Sequence, residues 1–470
     1  VGNEAIAGRS GAYRLQRTLS FPRADPIQRH MKCAVIARVG PGDELYALDA
    51  EDSVDRARAA RRGPFADIVF IKVDDMLGRL GRAMALNQGA EQAHAAGADW
   101  IFFLEAQDIL CPDIFANAAP YLARYDAVWG GIYELADDEE TGTLRPGQLL
   151  HITRIEQLLA NDPLITLSSG HFVKTAAALA TPCDPELDGG EDFDFHLRLW
   201  SNFNCVKVAE PFFFSRRYPC AAGSHAEAER DRRIAVERIV CEKCKAADFQ
   251  AEFAYHGETF RFYIDNPFDL IQRCFLKDRF FEPAELAFLE DWVAPGANIV
   301  EVGAYVGNHA VYYARFLQPR SLIVLEPNPA AIGLLRRNLA ANGVTNVDLS
   351  QLGIAAGAAA ASYELVCESA SNRGATRLVP AAGGAVKSAP LDSLIAGEVD
   401  FIKIDVEGME LEVLAGAAAI IARARPKIMI EVFRQRIQHF EHWLDINRYR
   451  VARRFDNVHA VNFMIEPASA

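Results

Sequence analysis

From residue 31 onward, short apolar runs alternate with stretches of helical spacing, the pattern of an α/β chain. Cys33 to Val39 and Asp67 to Val73 read as strands, with an Ala/Arg-rich helix, Ser53 to Arg62, between them. A second helix, Leu80 to Ala96, leads into the strand Trp100 to Leu104, and a later helix opens at Gly189-Gly190 with Leu197, Leu199 and Trp200 on one face. Ser224 to Ala247 is charged and helical and reads as a connector with a solvated face. Beyond it, Phe260 to Ile264, Asn298 to Val302, Ser321 to Leu325, Val347 to Leu352, Phe401 to Val406 and Pro426 to Val432 read as strands, closed by the pair Tyr449 to Phe455 and Val458 to Ile465. Two antiparallel strands are expected within Ser362 to Val379. The expected fold class is therefore α/β in two domains, 32–217 and 252–470, joined by a helical connector over 218–251. The second domain is expected to hold a seven-stranded, Rossmann-like doubly wound sheet with an antiparallel edge.

Length and charge narrow the reading. The chain has 470 residues, too many for one compact core. Its net charge of −14 disfavours a polyanionic partner, so no nucleic acid is expected. The nine cysteines follow no repeating spacing, which fits a reducing compartment, and the one CxxC, Cys241 and Cys244, lacks a second ligand pair. No apolar stretch reaches transmembrane length, and residues 1–30 show no secretory pattern, so the expected location is cytoplasmic.

The chemistry gathers where strands end. FIKIDVEGMELE, Phe401 to Glu412, carries a buried strand into Asp405 and Glu407 just before a helix, the edge of a parallel sheet where ligands bind. Lys403 and Asp405 share one face of this strand, and either they form a buried ion pair that shapes the pocket, or Asp405 or Glu407 takes a proton from an acceptor. Upstream, Glu301 ends a strand before Gly303-Ala304-Tyr305-Val306-Gly307, a turn that admits a ligand to the helix N-terminus at Asn308. An acid in that place would repel a pyrophosphate and suits an ammonium or sulfonium group instead. Glu326, before Pro327-Asn328-Pro329, is placed to accept both hydroxyls of a ribose. In the first half, Glu105 to Asp108 stands at a strand end and suits a divalent ion that bridges a nucleotide diphosphate, or is a solvated turn. The acids around Asp192 open a helix, either as a base or as ordinary dipole partners.

EVGAYVGNHA from Glu301, LEPNP from Leu325, NLAANGVTNV from Asn338, SNRGATRL from Ser371 and DFIKIDVEGMELEVLAGA from Asp400 together resemble the FkbM-type methyltransferases over about Gly257 to Ile465. The resemblance implies S-adenosylmethionine as cofactor, held by Glu301, Gly303, Ala304, Tyr305, Gly307, Asn308, Glu326, Pro327 and Asn328. It implies O-methylation of a hydroxyl, often on a sugar or natural product and expected here on a saccharide or glycoconjugate, and it places Asn372 near the acceptor. On the residues themselves, Asp405 and Glu407 are the expected catalytic acids with Lys403 beside them, and His309, in the first turn after the glycine loop, either reaches the acceptor pocket or is a packing residue. The usual first acid of the family is Asp, and Glu301 keeps its charge.

NQGAEQAHAAGADWIFFLEAQD followed by GGEDFDFHLRL is similar to the GT-A domain of family 2 glycosyltransferases over roughly Lys32 to Arg217. That resemblance implies a nucleotide sugar, a divalent ion (Mn or Mg) at Glu105 and Asp108, Asp192 as base and Asp75 beside the nucleoside. Gln107 departs from it, since a neutral amide replaces a metal-binding carboxylate. Two readings of this half stand: sugar transfer with Asp108 compensating, or a non-catalytic module that holds a glycan or nucleotide sugar.

Overall fold

The computed structural model describes residues 31–135, 142–187, 189–216, 224–367 and 373–468. The first half is built on one mixed sheet. Its strands run in the order Phe65–Asp74, Met31–Val39, Trp100–Glu105, His171–Lys174, Ala127–Leu135, Cys205–Arg216 and Ile109–Leu110, with the short Thr143–Leu144 on Ala127–Leu135. The first three are parallel, and His171–Lys174 is antiparallel to both its neighbours. Met31–Val39 and Trp100–Glu105 are almost wholly buried, as a central strand covered on both faces must be. The helix Gly81–Ala95 packs on this sheet, and its first turn faces the carboxyl end of Trp100–Glu105.

The charged helix Ser224–Ala246 is more than a solvated connector. Val236, Val240 and Cys244 form a buried stripe at helical spacing, with Ile239 buried beside them, and join a core shared with Phe193 and Leu197 of the helix Glu191–Asn202. At about 1.5–3 kcal/mol for each buried aliphatic, that stripe fixes the helix against the first half. Cys241 Sγ donates to Asn266 Oδ1 at 3.3 Å and Cys244 is buried, so the CxxC pair serves packing.

The second half carries a six-stranded sheet in the order Ser321–Leu325, Asn298–Val302, Phe401–Ile404, Lys427–Phe433, Ala460–Pro467 and Tyr449–Asp456. The first four are parallel and the last two antiparallel. This is the expected doubly wound sheet with its antiparallel edge, one strand short of seven. Val347 to Leu352 does not form a strand. Asp348 makes a single parallel bridge to Ile323, and its carboxylate then accepts the Ser350 N–H at 2.8 Å, turning the chain away from the edge. A separate four-stranded sheet, Ile354–Ala356, Val386–Ala389, Ala361–Val366 and Arg377–Pro380, follows, and it contains the two antiparallel strands expected there. Val300, Val302, Ile402, Ile404, Ile428 and Ile430 are buried at 0–1% exposure, which makes the strand ends a rigid rim.

Candidate functional site

Four parallel strands end on one cavity of about 990 Å³. Val302 and Gly303, Leu325 and Glu326, Asp405 and Glu407, and Glu431 reach it from neighbouring strands. Gly303 has φ +85°, and a Cβ added to it would lie 1.8 Å from the Asp405 carbonyl oxygen, so no other residue fits where the two chains cross. The loop is tied down by the N–H groups of Gly303 and Ala304, which donate to Leu325 O at 3.0 and 3.2 Å.

Glu326 is 6% exposed and set by its own neighbours. Its two oxygens accept the Tyr305 N–H at 2.7 Å and the Asn328 N–H at 2.8 Å, leaving further lone pairs on each oxygen. Burial pushes its carboxyl up to about 7, against those two N–H groups. Asn328 also caps the helix Pro329–Ala341 through Ala330 N at 3.1 Å, as its sequence position suggests.

Behind the loop lies a buried charge chain. Lys403, 2% exposed, donates to Gly303 O at 2.7 Å and Asp405 Oδ2 at 3.0 Å, and stands 4.0 Å from Glu301 Oε1. Against burial, Asp405 and Glu301 hold its ammonium above the ordinary range. Glu301 is fully buried and neither of its oxygens has a hydrogen-bond donor. Burial raises its carboxyl, and Lys403 opposes the rise. Glu407 sits at φ +56°, which turns its side chain into the cavity, and burial with nearby carboxylates raises both Glu407 and Glu431.

Of the residues expected at the cofactor, Gly303, Tyr305, Glu326, Pro327 and Asn328 line this cavity, as do Asp405 and Glu407. Glu301, Ala304, Gly307 and Asn308 stand behind its wall instead, as does Lys403, which was expected toward the acceptor. Gly307 caps the next helix at φ +88°, and Asn308 exchanges bonds with Phe281, accepting its N–H at 2.9 Å and donating to its carbonyl at 3.2 Å. His309 is buried with Nε2 3.1 Å from Glu282 Oε2. Asn372 lies outside the described residues.

Sequence reasoning missed Asp269. This fully buried acid caps the helix Leu270–Leu276 and accepts from the Tyr305 hydroxyl and the Arg373 N–H at 3.1 and 3.0 Å, joining three walls of the cavity. Its signal was visible as an N-cap before an apolar helix. What it would join was not.

In the first half the acids also converge, but on an arginine. Arg82 bonds to Glu105, to Glu191 at 2.9 Å, to Asp192 at 3.1 Å and to Ser169 at 2.6 Å. Asp192 takes a second arginine, Arg232 from the connector helix, at 2.6 Å. Against burial, these two arginines hold the Asp192 carboxyl well below the usual range, which makes it a weak base. Asp75 is occupied too, by Arg38 at 2.9 Å and by the N–H groups of Leu80 and Gly81 at 2.9 and 3.2 Å.

The divalent ion expected at Glu105 and Asp108 does not fit this arrangement. The guanidinium of Arg82 already stands where the acids meet, and Asp108, 3% exposed, has Oδ1 without a partner. Burial, reinforced by Glu105, pushes the Asp108 carboxyl up to about 8. A carboxyl raised from 3.8 to about 8 contributes stability that is complete below the unfolded value and is lost as pH climbs through the folded one. Stability should therefore fall with rising pH between about 4 and 8, by about 1.4 kcal/mol per unit from this group. Urea unfolding across that range should show the fall, and Asp108→Asn should flatten it.

Residues 301–453 match the family model of the methyltransferase FkbM domain. The match implies a methyltransferase, and it spans most of the strand ends around the cavity. No curated protein matches the chain. Solved structures similar to it include the methyltransferase FkbM from Methylobacillus flagellatus KT, at 21% identity and TM-score 0.27, over 36% of this chain and 43% of that one. TarS 1-349 of S. aureus in complex with UDP-GlcNAc is similar at 14% identity and TM-score 0.34, over 47% and 68%. The ribosomal protein L11 methylase from Lactobacillus delbrueckii subsp. bulgaricus is similar at 13% and 0.27, over 40% and 79%. Among the described residues, no helix is long and apolar enough to cross a membrane.

Proposed function

We propose that the protein is an S-adenosylmethionine-dependent O-methyltransferase that acts on a hydroxyl of a saccharide or glycoconjugate. In this reading 252–470 is the catalytic domain, 218–251 the connector and 32–217 the domain that presents the glycan. The observation that carries it is the crossing at Gly303, with the fixed carboxylate of Glu326 on one side and the donorless carboxylate of Glu301 behind it. The residues present fit the cofactor: Glu326 offers free lone pairs for two ribose hydroxyls, and Glu301 supplies negative charge for a cationic amino-acid end. The bound cofactor would supply an already activated methyl group.

The protein's own work is then positioning. Lys403 locks the Gly303 carbonyl and Asp405 in place, and Tyr305 ties the glycine loop to Asp269. Asp405 and Glu407 line the cavity, and either can take the proton that an acceptor hydroxyl gives up. For the first half, the arginines on Asp192 and among the acids around Glu105 favour glycan or nucleotide-sugar holding over sugar transfer.

Calorimetric titration tests both parts. The full chain should bind S-adenosylmethionine, and manganese should make no difference to its affinity for nucleotide sugars. A protein that is folded yet does not bind S-adenosylmethionine would overturn the reading. Manganese-dependent hydrolysis of a nucleotide sugar would restore sugar transfer to the first half.

A further inference from the structure

The helix Leu270–Leu276 stands where the two halves of the chain meet. Leu270, Ile271 and Cys274 line the cavity, while the same helix packs on Ile155–Leu159 of the first half. Leu158, Leu159, Phe275 and Leu276 are at most 2% exposed and belong to one core. The stretch before the helix is tied to the connector as well: the buried Asn266 accepts from Cys241 Sγ at 3.3 Å and from the Phe268 N–H at 3.1 Å. Close-packed interiors transmit displacement rather than absorb it, so a shift of this helix is felt in the first half. The cavity's lining runs from Leu270 to Ala460, which leaves Ile155–Leu159 outside it.

The other end of the connection is Tyr305 in the glycine loop. Its backbone is left-handed, at φ +46°, a conformation that a bulky residue keeps only when its surroundings impose it. Two bonds impose it here. The N–H donates to Glu326 Oε2 at 2.7 Å, and the hydroxyl donates to Asp269 Oδ2 at 3.1 Å. Asp269 in turn starts the helix, its Oδ1 accepting the Ile271 and Gln272 N–H groups, both at 3.1 Å. One buried carboxylate thus joins the residue that clasps Glu326 to the first turn of the helix that touches the other half. With the hydroxyl released, Tyr305 is free to relax its backbone and loosen its hold on Glu326. A ligand that fits the clasped loop alone shifts the balance toward it and draws the helix with it.

We propose that Tyr305 and Asp269 couple the cofactor site to the first half, so that filling the site steadies Ile155–Leu159. The inference rests on the methyltransferase reading for the ligand that fills the site. Both residues act by position, through the loop on one side and the helix on the other. Coupling of binding is reciprocal, so a ligand that steadies Ile155–Leu159 from the first half would tighten cofactor binding by the same factor.

The test is amide hydrogen exchange of the full chain, read by mass spectrometry with and without saturating S-adenosylmethionine, with saturation set by calorimetry. In the wild type the cofactor should slow exchange across Arg154 to Asn161 by at least about fivefold, the lower end of ordinary coupling between two sites. Tyr305→Phe removes only the hydroxyl. Asp269→Ser keeps a cap for the helix but has no second oxygen for Tyr305 and Arg373. Losing one hydrogen bond to a charged group weakens binding by about ten- to hundredfold, which leaves saturation within reach. Saturated with cofactor, both variants should lose the slowing across Arg154 to Asn161, and circular dichroism melts verify that they fold. Slowing that persists in either folded variant overturns the coupling, and so does a wild type that binds the cofactor without slowing exchange there. A folded wild type that does not bind S-adenosylmethionine overturns the methyltransferase reading and the coupling with it, so the two failures are told apart.

Discussion

Arg82→Met is expected to destabilise the protein by about 3–5 kcal/mol, the cost of breaking a buried ion pair by removing one partner. The guanidinium draws together carboxylates from separate elements: Glu105 at the end of a central strand, and Glu191 and Asp192 in the first turn of the helix Glu191–Asn202. The Asp192 side chain is 3% exposed and that of Glu191 10%. Methionine fills similar volume with no charge, so packing changes little while three like charges are left facing one another. Arg232 still neutralises Asp192, which keeps the loss finite. The measurement is urea unfolding at neutral pH, and its companion is the same experiment in mild acid. Without Arg82, the carboxylates should take up protons more readily, so the deficit should shrink as pH falls. Glu105→Gln added to Arg82→Met should recover part of the loss, because it removes one of the stranded charges. A deficit of well under 1 kcal/mol would mean that the acids find solvent or another cation, and the metal reading of this cluster would reopen.

That cluster also marks the limit of what the sequence could say. The period of apolar residues located the parallel strands of the second half, and Asn328, Pro329 and Gly343 bounded a helix where the structure has one, because these signals depend on neighbours in the chain. The acids Glu105 and Asp192 were equally legible as acids at an element's end. Their partner was not, because Arg82 lies in the first turn of a different helix, 23 residues before Glu105 and 109 before Glu191. Whether an acid cluster holds a metal or an arginine is decided by contacts of that kind. The seventh strand failed for a local reason: Val347 and Leu349 alternate as a strand should, but the Asp348 carboxylate captures a backbone N–H two residues on. Glu431 could be placed at a strand end from sequence, yet its approach to Asp405 and Glu407 required the strand order and the left-handed turn at Glu407.

Glu326→Ala is expected to weaken S-adenosylmethionine binding by at least about 100-fold, from the loss of two hydrogen bonds to a charged acceptor at about 1.5–3 kcal/mol each. The alanine variant alone leaves a question open, because Glu326 also accepts the Tyr305 and Asn328 N–H groups and its removal loosens the glycine loop. Glu326→Gln separates the two roles. The amide keeps one oxygen and the shape of the side chain, so a merely structural part would survive it in large measure, whereas recognition of two hydroxyls by one carboxylate would not. The pH profile separates them further. With burial holding this carboxyl up at about 7, the free enzyme loses its ionised acceptor as pH falls below that value. Wild-type affinity should then drop by about tenfold for each unit below 7, a dependence that Glu326→Gln should abolish. Stability should move the other way. A carboxyl raised from 4.5 contributes stability below that value that is lost as pH rises through about 7, so the glutamine variant should hold its melting temperature better than wild type at pH 8. Calorimetric titrations at three pH values between 5.5 and 8 would read the affinity arm. A flat wild-type profile, or glutamine binding as tightly as glutamate, would remove the ribose assignment and leave Glu326 as a buried clasp for the loop.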